Sequence, residues 1–168
     1  MADLVIMMGV PGSGKSTWAK KMLGETDTYI SRDEIRFSLV KEDEEYFSKE
    51  NEVLRTFFEK IDAAILTTKR YVYADATHLS PTGRRQLLAN LKNKPNRIYA
   101  VYIDVSLETA LKRNAERTGR ALVPAEVIAR MHKSIVLPTE KEGINALFFV
   151  GEDGQVELSK TKIWVKED

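Results

Sequence analysis

Cysteine is absent from the 168-residue chain. Disulfides, thiolate nucleophiles and Cys-based zinc sites are therefore excluded. Histidine is scarce too: His78 and His132 are the only two. They cannot build a His-rich metal site. Proline is sparse, with five residues scattered at 11, 81, 95, 124 and 138, and no stretch reads as a linker. Long apolar runs are missing. The run near the start, Leu4 to Val10, falls far short of the ~20 residues of a membrane span. It has no basic leader and enters a glycine loop directly. The expectation is a soluble, cytoplasmic protein. An excess of either charge is also lacking, with 26 Lys+Arg against 25 Asp+Glu and a net charge of +1. Disorder is excluded, because it needs low hydrophobicity and high net charge. A broadly basic nucleic-acid wrapper is disfavoured, whereas a local basic groove stays open. What is present suits one domain: 168 residues with 43% hydrophobic content fill a real core.

Strand and helix patterns alternate along that length. Leu4–Met8 is an unbroken apolar run, as in a buried parallel strand. Gly9–Gly14 follows, and Ser16–Leu23 reads as a helix closed by Gly24. Tyr29-Ile30 predicts a short strand. From Ser48 to Lys69, Val53, Leu54, Phe57, Phe58, Ile61 and Ile65 share one helical face. Tyr71–Ala74 predicts a strand ending at Asp75. Ser80-Pro81 predicts a capped helix to about Leu91. Arg97–Ile103 predicts a strand. Ser106 caps a helix through about Arg117, and Pro124 opens another. Ala146–Val150, Gly151–Gly154 and Val156–Leu158 read as a hairpin, with Ile163–Val165 as a further strand. The fold class expected is α/β, a parallel sheet flanked by helices with a lid and a small C-terminal β appendage. The domain boundaries expected are 1–145 for the main body and 146–168 for the appendage.

Gly9-Val10-Pro11-Gly12-Ser13-Gly14-Lys15-Ser16 fits G-x-x-x-x-G-K-[ST]. Glycines turn backbone N–H groups inward around a phosphate, in conformations that a Cβ obstructs. The helix that follows aims its unpaired N–H groups at the same anion. Lys15 reaches β and γ phosphates, and the Ser16 hydroxyl ligates Mg²⁺. The binding residues expected for ATP are Gly9, Pro11, Gly12, Ser13, Gly14, Lys15, Ser16 and Thr17. The loop does not name the acceptor: water, an alcohol or a switch all remain open.

Two acids follow strands. Asp33, in Arg32-Asp33-Glu34-Ile35-Arg36, is a candidate general base for an attacking hydroxyl. The alternative is an ordinary charged helix start, with Asp33 as a cap and Arg36 pairing across one turn. Asp75 closes an apolar strand, the usual place for a Mg²⁺-associated carboxylate beside such a loop. The alternative is a polar residue opening a loop. Arg113, Arg117 and Arg120 surround a break at Thr118-Gly119. Arginines on a mobile lid, about 113–123, can close over developing phosphoryl charge. The alternative is a solvated basic helix end.

Several segments together resemble the kinase domain of bacteriophage-type polynucleotide 5′-kinases. They are Gly9–Trp18, Ser31–Arg36, Ala74–Pro81, Asp104–Arg117 and Ala121–Pro124. They keep family order from residue 3 to about 134. The resemblance implies a P-loop kinase that moves the γ-phosphate of ATP to the 5′-hydroxyl of DNA or RNA, in the setting of nucleic-acid end repair. It implies Asp33 as general base, Arg36 on the acceptor's 3′-side phosphate, and Asp75 and Thr77 beside that phosphate. That reading leaves open whether Asp75 contacts the metal or Arg36. It implies Arg117 on the donor phosphates. The partners expected are nucleic-acid 5′ ends, and the cofactors are ATP and Mg²⁺. P-loop kinases of sugars, nucleosides, gluconate or antibiotics share parts of the pattern, and a nucleotide-dependent switch is a third class.

Two departures stand out. The Asp-x-Asp phosphatase motif of the phage relatives does not occur, so no 3′-phosphatase activity is expected. Lys41–Glu52 is acidic, with Glu42, Asp43, Glu44, Glu45, Glu50 and Glu52 against Lys41 and Lys49. Lys112–Lys133 is basic, with six bases against Glu116 and Glu126. The near-zero net charge is a cancellation between these segments.

Overall fold

A computed structural model describes residues 1–164. Six strands form one sheet in the order β2-β3-β1-β4-β5-β6. They are β1 (Asp3–Met8), β2 (Thr28–Ser31), β3 (Tyr71–Asp75), β4 (Ile98–Ile103), β5 (Ala146–Val150) and β6 (Lys162–Ile163). The first five run parallel, and β6 is antiparallel to β5. The helices are α1 (Lys15–Met22), α2 (Arg32–Leu39), α3 (Glu50–Thr67), α4 (Pro81–Ala89), α5 (Leu107–Ala115) and α6 (Ala125–Lys133).

The apolar β1 run is unbroken because both of its faces are covered. Leu4, Ile6 and Met8 pack with Val53, Phe57, Ile61 and Ile65 of α3 and Leu87 of α4. Val5 and Met7 join Ala19 of α1, Ala110 of α5 and Ile128 of α6. The helix starts are written locally. The hydroxyls of Ser31, Ser80 and Ser106 accept from the backbone N–H groups of Glu34, Gly83 and Thr109. Register then sets the site. Ser31 and Met7 both lie level with Asp75, so the ends of β1, β2 and β3 converge on one edge. Ligands gather at that carboxyl edge in parallel α/β sheets.

The C-terminal segment differs from the expected appendage. β5 pairs with β4 from Tyr99 to Ile103, and Leu147 is fully buried. The boundary expected at 146 therefore falls inside the sheet. Ala-Leu-Phe-Phe-Val is apolar at every position, which suits a strand covered on two faces rather than an alternating hairpin arm. The turn after it is real but short. Gly151 N–H donates to Gln155 O at 3.0 Å, and a single bridge joins Val150 to Val156. Leu158–Lys160 then forms one 3₁₀ turn before β6. Val165, placed in the last strand by its sequence, lies outside the described residues. Among those residues no helix is long and apolar enough to cross a membrane.

Candidate active site

The glycine loop joins β1 to α1. Gly12 has φ 84°, and a Cβ there would stand 2.4 Å from Ala110 O. Gly14 sits at the α1 N-cap with φ 92° and provides no side-chain cap. The first N–H groups of α1 are thus left for an anion. The Ser13 hydroxyl is buried and has no hydrogen-bond partner among the described residues. An open cleft of about 840 Å³ lies outside the loop, lined by Gly12, Ser13, Gly14, Thr17, Trp18, Arg113, Arg117 and the 150–156 turn. Pro11 and Gly9 shape the loop behind it, where Gly9 N–H donates to Thr77 O at 3.1 Å.

Lys15 and Ser16 point toward Asp75. The Ser16 hydroxyl donates to Asp75 Oδ2 at 2.5 Å, and Lys15 Nζ stands 3.7 Å from Oδ1. Tyr29 also donates its hydroxyl to Oδ2. Burial and the neighbouring Asp75 charge push the Tyr29 phenol up, so it stays a donor. Asp75 Oδ1 is buried without a hydrogen bond. A buried carboxylate, a serine hydroxyl and a lysine beside an open phosphate cradle fit Mg²⁺ and a nucleotide triphosphate. Of the two places open to Asp75, this one faces the donor loop, and among the described residues it has no hydrogen bond or ion pair with Arg36.

The acceptor-side residues lie at the start of α2. Ser31, not Asp33, caps that helix, so the Asp33 carboxylate is free of the capping role. Its side chain is 57% exposed and takes one hydrogen bond, from Arg36 Nη1 at 2.8 Å. Arg36 itself is only 2% exposed. Its Nε and Nη2 hold Glu50 at 2.7–3.1 Å. Its guanidinium lies 4.8 Å from the Tyr46 ring centre and 5.5 Å from that of Phe47. Burial pulls the Arg36 pKa down, but the Glu50 hydrogen bonds together with the nearby Tyr46, Glu50 and Asp33 groups outweigh it, and the net shift is upward.

The lid arginines divide. Arg113 donates to Ser13 O at 2.7 Å and to Glu152 O at 3.2 Å. Arg117 lines the same cleft and reaches only Ala121 O, at 3.3 Å. Arg120, also expected on the donor, turns away. It donates to Val40 O and to Phe37 O, and stacks 4.7 Å from the Phe37 ring centre. The physical reason is local: the last carbonyls of α2 are unpaired acceptors and draw a cation. Asn114 pins the lid's far end through two hydrogen bonds with Val123, at 2.7 and 3.0 Å.

His78 is buried on the β3–α4 connection. It is 7% exposed, in the left-handed region at φ 47°, with Nδ1 against Met7 O at 2.7 Å. Burial depresses its pKa to about 4. Trp18 packs the donor turn, its indole N–H donating to Gly154 O at 3.2 Å. Sequence reasoning does not single out Tyr29, which reaches Asp75, or Glu50, which holds Arg36. Nothing periodic marks Tyr29 or Glu50.

Five parallel strands, a G-x-x-x-x-G-K-S loop and a strand-end aspartate on the loop serine define a P-loop kinase fold. Residues 4–138 match the AAA-domain family AAA_33, and the chain belongs to that family. It is 27% identical over 148 residues to a candidate bifunctional polynucleotide kinase/RNA ligase of Autographa californica nuclear polyhedrosis virus, covering 80% of this chain and 21% of that one. It is 30% identical over 144 residues to an L-seryl-tRNA(Sec) kinase of Methanococcus maripaludis, covering 82% of this chain and 54% of the relative. The chain thus spans 21% and 54% of the length of these curated relatives. A solved Pnkp1/Rnl/Hen1 RNA repair complex contains a similar fold, with TM-score 0.65 and 21% identity over 79% of this chain and 43% of that one.

Proposed function

We propose that this protein is an ATP-dependent polynucleotide 5′-hydroxyl kinase. The observation that carries the reading is the start of α2. An exposed carboxylate, Asp33, stands at the same sheet edge as the Ser16–Asp75–Lys15 cluster, beside basic and aromatic side chains. Phe47 is 60% exposed and packs edge-on to Tyr46, which covers Arg36. Exposed aromatics next to arginines suit a terminal nucleobase and its phosphate better than a neutral sugar. The kinase/ligase and seryl-tRNA kinase relatives support an acceptor that includes nucleic acid.

Asp33 accepts the proton of the attacking hydroxyl and orients its oxygen. That oxygen bonds the γ-phosphorus as the bond to the β–γ bridging oxygen breaks, and ADP leaves. Lys15 and the first N–H groups of α1 hold the donor phosphates. Ser16 and Asp75 would hold Mg²⁺, which offsets phosphate charge when bound. Arg113 and Arg117, within a lid at about 113–123, close over the transferring group and exclude water.

The test is one labelled ATP donor with a panel of acceptors: 5′-hydroxyl DNA and RNA oligomers, nucleosides, gluconate and hexoses. Label transferred to the oligomers, with an acceptor KM that rises steeply with salt, is the expected result. Transfer to a sugar alone, or slow hydrolysis with no acceptor, overturns the reading.

A further inference from the structure

Two hydroxyls converge on one oxygen of Asp75. Ser16, in the first turn of α1, and Tyr29, in β2, both donate to Oδ2. Oδ1 is buried and takes no hydrogen bond among the described residues. The residue is only 3% exposed, so bulk water does little to serve that oxygen. A bare oxygen on a buried carboxylate is costly, and a loosely held carboxylate would turn to share its donors between both oxygens. Two donors from different elements hold it in one orientation.

Register explains how Tyr29 gets there. Ser31 is level with Asp75 and Tyr29 with Tyr73, so Tyr29 lies on the same face, two positions short of the strand end. Two positions span about 6.6 Å, a gap that a tyrosine side chain bridges and a serine does not. The ring is braced on both sides. It packs on the core face that contains Ala19 of α1 and Tyr73 of β3, and Lys20 Nζ stands 5.3 Å from its centre. Lys20 in turn pairs with Glu34 of α2 at 3.0 Å. Ser16 is placed differently. It sits where the glycine loop enters α1, and the loop motif commits its hydroxyl to the cation. Tyr29 is the donor to Asp75 that has no second task.

We propose that Tyr29 is a positioning residue of the donor site. Its phenol fixes Asp75 through Oδ2 and thereby keeps Oδ1 free for the divalent cation that accompanies the nucleotide. A partner of this kind, one hydrogen bond behind the ligand, tunes cation affinity without touching the cation. The inference rests on the ATP and Mg²⁺ half of the reading above and not on the identity of the acceptor.

The experiment measures binding without turnover. A non-hydrolysable ATP analogue is titrated into the full chain by calorimetry, once with EDTA and once with saturating Mg²⁺. The ratio of the two dissociation constants reports the cation's contribution. Tyr29→Phe keeps the ring and removes only the hydroxyl. It is expected to bind the Mg²⁺-free analogue within about twofold of wild type and to lose about tenfold of the Mg²⁺-dependent gain, the low end for losing a partner of a cation ligand. A merely structural role would lower Tm and both affinities together and leave the ratio unchanged. In an Asp75→Asn background, Tyr29→Phe is expected to change the ratio no further. A ratio kept in Tyr29→Phe overturns the proposal, and so does an equal loss in the Asp75→Asn background. If Tyr29→Phe alone does not fold, the comparison of Asp75→Asn with the double variant, which removes the buried charge along with its donor, decides the matter. A wild type that gains nothing from Mg²⁺ defeats the donor reading and the proposal together, whereas a gain that survives in Tyr29→Phe defeats the proposal alone. An inactive acceptor panel, with the Tyr29-dependent ratio present, defeats the polynucleotide reading and leaves this one standing.

Discussion

Ser16 and Asp75 are 59 positions apart in sequence, yet the serine hydroxyl donates to the Asp75 carboxylate at 2.5 Å. The contact joins the start of α1 to the end of β3. It puts a carboxylate oxygen, Oδ1, beside Lys15 with no hydrogen bond of its own. An isolated strand end has no use for such a group; a phosphate and metal site does.

Asp75→Asn keeps the shape and removes the charge. Phosphoryl transfer should fall about a hundredfold or more, the scale of losing a preorganised electrostatic group. ATP binding measured without Mg²⁺ should change little. A kcat within a few-fold of wild type would remove Asp75 from the donor machinery.

Asp33→Asn should lower kcat by about 10²–10⁴-fold, the range for a lost general base, with ATP affinity near wild type. The side chain is 57% exposed and Ser31 supplies the cap, so Tm should hold steady. Single-turnover kinetics with labelled ATP and a 5′-hydroxyl oligomer separates the two effects.

Gly12→Ala should fail structurally before it fails chemically. The position needs φ 84°, and the added Cβ would meet Ala110 O at 2.4 Å. The backbone term alone costs about 1–3 kcal/mol, and the clash adds to it. Urea unfolding is expected to show the loss, and the same experiment on Gly119→Ala, which meets nothing within 4 Å, isolates the backbone term.

Acid stability should carry the signature of His78. Its ordinary pKa of 6.5 falls to about 4 in the fold, because burial disfavours the charged ring. Above pH 6.5 both states are neutral and nothing is lost. Between 6.5 and 4 the unfolded chain binds a proton that the native state refuses, so stability falls as pH falls. The total is about 3 kcal/mol, and it levels off below pH 4. Asn tolerates the left-handed backbone of this position, so His78→Asn should flatten that part of the curve. Urea midpoints from pH 7 to 4 test it; an unchanged slope in the variant would assign the acid sensitivity elsewhere.

Arg84 is wholly inaccessible and pairs at 2.7 Å with Glu142, whose side chain is partly exposed. Glu142→Gln leaves that cation without its partner and should cost about 3–5 kcal/mol. Replacing both residues with apolar ones of similar volume should restore much of the loss. Chemical unfolding of the two single variants and the double variant measures the coupling.

The residues that announce themselves do so for local reasons. Gly9 to Ser16 is legible because a phosphate cradle demands glycines, a lysine and a hydroxyl at fixed spacing. Leu4–Met8 is legible because burial on two faces makes the run unbroken, and the α3 stripe because burial on one face imposes a period. Every helix and strand assigned through residue 133 ends within about two positions of its place in the fold. The Ser31, Ser80 and Ser106 caps follow from side chains that reach only their own turn. Ala146–Val150 was readable as a strand, but not as a strand of the main sheet.

Long-range charge pairing was not readable in the same way. Asp75 joins Ser16 instead of Arg36, Arg120 joins α2 instead of the donor cleft, and Glu50 of the acidic segment takes Arg36. Each choice depends on which strand ends share an edge and which helix end lies within reach. Sheet order decides that, and no local pattern encodes it. So motif spacing along the chain named a nucleotide-binding loop, its flanking elements and a short set of chemistry-bearing residues. Tertiary packing assigned the partners, because Coulomb and hydrogen-bond energies depend on distances that appear only once β1, β2 and β3 lie side by side.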